Sequence, residues 1–365
     1  MTYKETLFFI GKCLTINHEK HNKISVEEEL KSNHIDWDAV VKVSTGHYVF
    51  PAFYCNLKRA DFLHYLPTDL VEYMKHITDL NRERNLQIID QAKEINELLL
   101  VNNITPIFLK GTGNLLEGLY EDIGERMVGD IDFIVSKIDY KKSIQILKKD
   151  RYNSTAKNWN SFHWHYPAMV KENCIGAIEI HNKILKKPYS TILNFDELIK
   201  NNLILNKVMV PSFNNQILNA ILPKQINDNL YHSKIIPLRT VYDIFLMSRN
   251  SKGELIKTYH KKVNRRFNNF LVCTNLLLNY DTKIGYKETK SSLKYLKSFE
   301  LILENTQTEK TKVKILNYFT KVKNKLQILQ YSISDSEYRE FTLHRIRERE
   351  LYLKLFNLKK PKPNP

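Results

Sequence analysis

The chain is short of the residues that mark several protein classes. Its four cysteines (Cys13, Cys55, Cys174, Cys273) stand far apart with no CxxC spacing, which argues against a disulfide framework or a cysteine-built zinc site. No apolar run approaches the 18 residues that a membrane span needs, and the four apolar residues from Leu7 to Ile10 are too few for an export-signal core. A cytoplasmic protein with no membrane partner is therefore expected. Glycine is scarce, at 10 of 365 residues, so wherever glycines gather the backbone has a reason to need them. With 42% hydrophobic and 26% charged residues the composition is that of a globular protein, and its length suits two domains or one elaborated domain.

Charge is unevenly spread. Residues 1–150 carry 19 basic against 23 acidic side chains, residues 151–250 carry 12 against 6, and residues 251–365 carry 25 against 11. A basic last third beside a mildly acidic front half points to a polyanionic partner, RNA or an acidic surface, through residues 251–365. The 43 lysines against 13 arginines also fit AT-rich coding bias, which spreads lysine over solvated faces.

Apolar spacing of three and four residues from Val40 to Phe53 and from Leu70 to Leu100 predicts helices, the second stretch a single long one. The period then changes. Short apolar runs at Ile104–Leu109, Ile131–Val135, His163–Val170 and Ile175–His181 read as strands, with helices at Asn114–Tyr120 and Tyr140–Lys149 between them. Beyond Pro188 helices are expected at about 194–205, 212–232, 237–249, 252–279 and 338–357. The resulting division is an N-terminal helical segment at 1–103, an α/β core at 104–190, a C-terminal helical domain at 191–357 and a disordered tail at 358–365.

Three motifs in the core carry chemistry. Five of the ten glycines (Gly111, Gly113, Gly118, Gly124, Gly129) fall within nineteen residues. The first two sit in Lys110-Gly111-Thr112-Gly113, where a strand gives way to a helix and free backbone N–H groups can hold phosphate oxygens. In Gly129-Asp130-Ile131-Asp132-Phe133 a strand places Asp130 and Asp132 on one face. Two like charges side by side call for a divalent cation, with magnesium the natural choice. In Ala177-Ile178-Glu179-Ile180-His181 the same alternation leaves Glu179 opposite the isoleucines. An ionised carboxylate there is costly unless it is paired or ligates a metal. If the two strands are neighbours, Asp130, Asp132 and Glu179 converge. His163-Trp164-His165 offers two imidazoles that with His181 would suit zinc, or that simply border the pocket. Lys261-Lys262-Val263-Asn264-Arg265-Arg266-Phe267 heads a cationic amphipathic helix, a solvated face or a nucleic-acid contact.

Taken in order, Phe108-Leu109-Lys110-Gly111, Tyr120 and Arg126, Gly129 to Val135 and Ile178-Glu179-Ile180-His181 resemble the uncharacterised nucleotidyltransferase family of the polymerase-beta-like superfamily. Leu230-Tyr231-His232, Leu238-Arg239 and Asp243 are similar to its helical motif after the catalytic sheet, so the resemblance covers roughly residues 36–250. It implies an α/β (α+β) fold, a small mixed-sheet nucleotidyltransferase core flanked by N-terminal helices and a C-terminal helical domain. It also implies Mg2+-dependent transfer of a nucleoside monophosphate from a nucleoside triphosphate, ATP being the expected donor, to an acceptor hydroxyl with loss of pyrophosphate. Asp130 and Asp132 match the paired metal ligands and Glu179 the third carboxylate. Lys110, Gly111, Thr112, Gly113 and Arg126 are the expected phosphate-binding residues. The superfamily usually has Gly-Ser after the first strand, where this chain has Lys-Gly-Thr. Arg126 has a second reading, a pair with Glu125 or Asp122. The alternative function is a catalytically silent module that uses the same cleft and the basic C-terminal helices to bind nucleotide or RNA.

Overall fold

The computed structural model describes residues 1–156, 163–249, 260–280, 284–286, 288–304 and 307–347. Five helices come first: α1 (Tyr3–Cys13), α2 (Lys20–Lys31), α3 (Trp37–Gly46), α4 (Phe50–Arg59) and α5 (Thr68–Leu100). The Val40–Phe53 periodicity spans two of them, because Tyr48 adopts φ +57 and Pro51 occupies the first turn of α4. The 33-residue α5 is the long helix read from Leu70 to Leu100.

The α/β portion runs β1 (Ile107–Phe108), α6 (Lys110–Glu117), β2 (Asp130–Ile134), α7 (Tyr140–Lys149), β3 (Asn153–Ser154), β4 (Met169–Val170) and β5 (Ala177–His181). It continues through α8 (Phe195–Lys200), β6 (Asn202–Leu205) and β7 (Val208–Pro211). The seven strands form one mixed sheet in the order β3-β4-β5-β2-β1-β7-β6. β2 and β5 are parallel neighbours at its centre, and β1 is antiparallel to β2 and parallel to β7. The buried side chains Ile131, Phe133, Ile178 and Ile180 form the core face of the central pair.

Two sequence expectations fail here for local reasons. The helix read at 194–205 stops at Lys200, and residues 202–211 form a hairpin whose turn, Asn206-Lys207, has φ +49 and +69. Two consecutive left-handed residues make the tight turn that matches strand twist, and asparagine tolerates that conformation. The sheet therefore extends past residue 190. The strand read at His163–Val170 is confined to Met169–Val170 plus a lone bridge from His165 to His181.

The remaining helices are α9 (Phe213–Ile226), α10 (Leu230–Ser233), α11 (Leu238–Arg249), α12 (Lys261–Leu278), α13 (Lys290–Leu303), α14 (Gln307–Ser334) and α15 (Ser336–Arg347). The span 212–232 is two helices because Asn229 takes φ +57. Residues 252–259 and 348–357 of the expected helices, and the tail at 358–365, lie outside the described residues. The helices α13 and α14 have no counterpart in the sequence reading. One buried apolar cluster runs from Leu7 to Leu303, joining the N-terminal helices, the sheet and α9 to α13. All four cysteines are free thiols.

Candidate active site

The long helix α5 acts as the ruler for the site. Arg84 donates to the carbonyls of Val128 and Gly129 just before β2. Two turns further on, Gln91 bonds both the N–H and the C=O of Gly176 just before β5, each at 2.9 Å. Both strands are thus held at their starts by one rigid helix, and their register follows: Asp132 lies opposite Glu179 and Ile134 opposite His181. Gly176 leaves room for this clamp, since a Cβ there would lie 2.9 Å from Ile131 Cδ1 and 3.0 Å from Gln91 Oε1, and those side chains would have to shift. Asn81 and Asn85, also on α5, donate to the carbonyls of Gly124, Ile123 and Arg126, which fixes the loop before β2.

Asp130, Asp132 and Glu179 all line one cavity of about 310 Å3, within the range of small-molecule sites. Asp132 is the buried centre of the group, its side chain 3% exposed. Lys110 Nζ donates to its Oδ1 at 2.6 Å and His181 Nε2 to the same oxygen at 2.7 Å. Burial opposes ionisation of Asp132, but Lys110 and His181 outweigh it and hold the carboxyl well below the usual range. Glu179 behaves oppositely. Burial first, then the charge of Asp132, pushes it up to about 8, so in the free protein it holds a proton at neutral pH. Its Oε2 lies 3.8 Å from Nε2 of both His165 and His181. Burial drives both imidazoles down, leaving them neutral. Asp130 is raised as well, by burial and by Asp132.

Among the described residues, the group whose ligand atoms lie closest together is Asp132, Glu179 and His181, all within 4.8 Å of one another. His181 thus stands beside the two carboxylates from neighbouring strands, while Asp130 lines the cavity next to them. Two carboxylates in register, one kept protonated by burial and by the charge of the other, form a donor set that a hard divalent cation would relieve.

The Lys110–Gly113 turn forms the next wall. Lys110 takes φ +52 at the start of α6, a left-handed conformation that its ion pair to Asp132 helps hold. A Cβ on Gly113 would sit 2.8 Å from the Phe108 carbonyl oxygen, and one on Gly111 would sit 3.0 Å from Val128 Cγ2. Both glycines line the cavity. Thr112 does not; its hydroxyl turns away and donates to the Asp130 carbonyl at 2.9 Å.

Arg126 lines the cavity too, yet neither partner read from its neighbours is the one it takes. Asp122 pairs with Arg82 and Glu125 with Arg59. Arg126 Nε instead donates to both oxygens of Asp243 on α11, at 2.9 and 3.2 Å. Tyr120 donates to the same aspartate, and Asn114 to Tyr120. The buried pair ties the loop before β2 to α11.

Sequence reasoning did not assign Arg239 and Asn219 to the site. Arg239 lines the cavity, stacks on Tyr48 with its guanidinium 4.8 Å from the ring centre, and has no carboxylate in salt-bridge range among the described residues. Burial, then Arg126, makes it easier to deprotonate than a free arginine, so an anion nearby would be welcome. Asn219 on α9 lines the opposite wall, buried, with its Oδ1 unbonded among the described residues. The four-residue spacing of Arg239 and Asp243 places them on one helix face, a signal the sequence did contain. Asn219 had none.

The profile of a family described as uncharacterised nucleotidyltransferases matches residues 33–278, about two thirds of the chain. The chain belongs to this family. The match begins just before α3 and ends with α12, taking in the whole sheet and both walls of the cavity. No curated protein and no solved structure matches the chain. Among the described residues no helix is long and apolar enough to cross a membrane.

Proposed function

We propose that the protein is a Mg2+-dependent nucleotidyltransferase that moves a nucleoside monophosphate from a nucleoside triphosphate, ATP being the first to try, to an acceptor hydroxyl. The observation that carries this reading is the pairing of Asp132 with Glu179 across parallel strands, with Asp130 on the same cavity wall and a glycine-bearing turn beside them. Asp130, Asp132 and Glu179 would hold the cation. When bound, it would neutralise phosphate charge and make the acceptor hydroxyl easier to deprotonate. At the first turn of α6 the Gly111 N–H lies outside the helix ladder, whereas that of Gly113 donates to the Leu109 carbonyl; Lys110 and Arg239 add positive charge, so the triphosphate is bound along this wall. Arg126, anchored by Asp243, contributes the remaining face of its guanidinium. The acceptor oxygen forms a bond to the α-phosphorus, the bond to the bridging oxygen breaks, and pyrophosphate leaves with the electron pair. Glu179, once ionised, receives the hydroxyl proton.

The test is pyrophosphate release or self-labelling with each labelled nucleoside triphosphate and magnesium. Asp130→Asn and Asp132→Asn should each lower the rate by at least about a thousandfold while far-UV circular dichroism is unchanged. Retained transfer in both variants rejects the assignment. One observation favours a second reading, a nucleotide- or RNA-binding module: Lys110 and His181 already satisfy Asp132 without a cation. Saturable nucleotide binding with no turnover under any divalent cation would support that reading.

A further inference from the structure

The helix α14 is mounted the wrong way round for a soluble surface. Its sides toward α10, α13 and α15 carry Val313, Asn317, Thr320, Asn324, Gln327, Ile328 and Tyr331, mostly polar and all half-buried. Ile315, Phe319, Val322, Leu326, Leu329 and Ile333 point outward, between 37% and 80% exposed. At 100° per residue these six fall within a sector of about 80° over five turns, and nothing among the described residues covers them. Tyr318, 66% exposed, widens the same stripe. Exposed lysines edge it on both sides: Lys323 on one, Lys314, Lys321 and Lys325 on the other. None of the four has a carboxylate in salt-bridge range among the described residues, so their charge is open to an anionic partner.

Those lysines decide between occupants. The stripe is centred near Asn324, and Lys321, Lys323 and Lys325 straddle the centre. A second copy laid on it, parallel or antiparallel, would bring six ammonium groups together at the middle of the contact. Nucleic acid would satisfy the lysines but leave the apolar stripe in water. A helix that projects one aromatic and aliphatic ridge between two rows of lysines matches an anionic lipid surface, where the ridge enters the acyl boundary and the lysines reach the headgroups.

We infer that α14 docks the protein on an anionic bilayer surface, as a helix that lies in the interface without crossing it. The sequence expectation of no membrane partner rested on the length of apolar runs, a criterion that detects spans and is blind to a ridge at three- and four-residue spacing. The end of α14 is also tied to the candidate active site. Lys183 and Lys187, just after β5, pair with Glu337 and Asp335 at the turn into α15, and Lys187 lies over the rings of Tyr331 and Tyr338. Docking would therefore hold the edge of the cavity at a set position relative to the surface.

Flotation of the full chain with vesicles tests this, comparing equal parts phosphatidylglycerol and phosphatidylcholine against phosphatidylcholine alone. Binding to the anionic vesicles only is expected. Phe319→Glu with Leu326→Glu should weaken it by at least about tenfold, through lost apolar burial. Lys321, Lys323 and Lys325 changed together to Gln should weaken it and flatten its salt dependence. All are surface positions, and unchanged circular dichroism and Tm confirm folding of each variant. Absence of binding to anionic vesicles overturns the proposal, as does binding that ignores the apolar substitutions. A wild-type dimer in light scattering that Leu326→Glu splits would assign the stripe to a second copy. Tight RNA binding lost in the lysine variant, without vesicle binding, would assign the lysines to nucleic acid.

Discussion

Asp132 keeps its charge in a nearly solvent-free position because a lysine and an imidazole both point at one of its oxygens. Removing the lysine leaves a buried charge that one neutral hydrogen bond must serve. Lys110→Ala is thus expected to cost about 2 kcal/mol, below the full value for breaking a buried pair because the Lys110 side chain is 33% exposed. Urea unfolding at pH 7 measures it, and adding Asp132→Asn should restore part of the loss, since the unpaired charge is then gone. At this scale the sequence was informative about parity: Asp130, Asp132 and Glu179 stand on the strand face opposite the isoleucines, as alternation requires. It was silent about partners. That Arg126 bonds Asp243, over a hundred positions away, and that Thr112 turns from the cavity to a backbone carbonyl, depend on contacts between elements that no local pattern encodes.

The strand-to-helix turn at Lys110–Gly113 illustrates what an element demands of its residues. Gly113→Ala would drive a methyl group into the Phe108 carbonyl, so the turn must open. A loss of about 2 kcal/mol or more is expected, read as a fall in Tm together with weaker nucleotide binding. Gly129→Ala is the control, because a Cβ there meets nothing within 4 Å, and its Tm should be nearly unchanged. The joint of α1, α3 and α11 responds to acid. His47 Nδ1 accepts from the Leu238 N–H at 3.1 Å, and Nε2 donates to the Tyr3 hydroxyl at 2.9 Å. This needs the neutral ring, and burial lowers its pKa to about 4. The unfolded chain takes up the proton near pH 6.5 and the folded chain only near 4. Stability from this group is therefore complete above pH 6.5 and is lost as pH falls from there toward 4. Thermal unfolding between pH 7 and 4.5 should show a decline that His47→Gln reduces.

Across the whole molecule, the candidate site depends on parts the sequence reading assigned elsewhere. β7 pairs with β1, while α9 and α11 supply the cavity walls opposite the carboxylates. A fragment of residues 104–190 should accordingly fail to fold, whereas residues 1–280 should give a cooperative unfolding transition; dispersion in proton NMR spectra distinguishes the two. Much of the plan was legible: the long helix, β1, β2, α7, β5 and α11 follow from periodicity that changes cleanly from 3.6 to 2. The hairpin at 202–211 was not, because two four-residue strands carry too few positions for alternation to stand out and the turn is Asn-Lys with no glycine. The reading passed over α14 although Ile315, Phe319, Val322, Leu326, Leu329 and Ile333 recur at the same three- and four-residue spacing that revealed α5. From the chain alone came the acids, their parity on the strands, the clustered glycines and the family they suggest, since these are set by covalent order and local geometry. Tertiary structure alone decided that Asp132 faces Glu179, that Lys110 and His181 share one oxygen, and that Arg126 is bound to Asp243. Register between distant strands is set by a third element, here α5 through Arg84 and Gln91, and such a constraint exists only once all three are packed together.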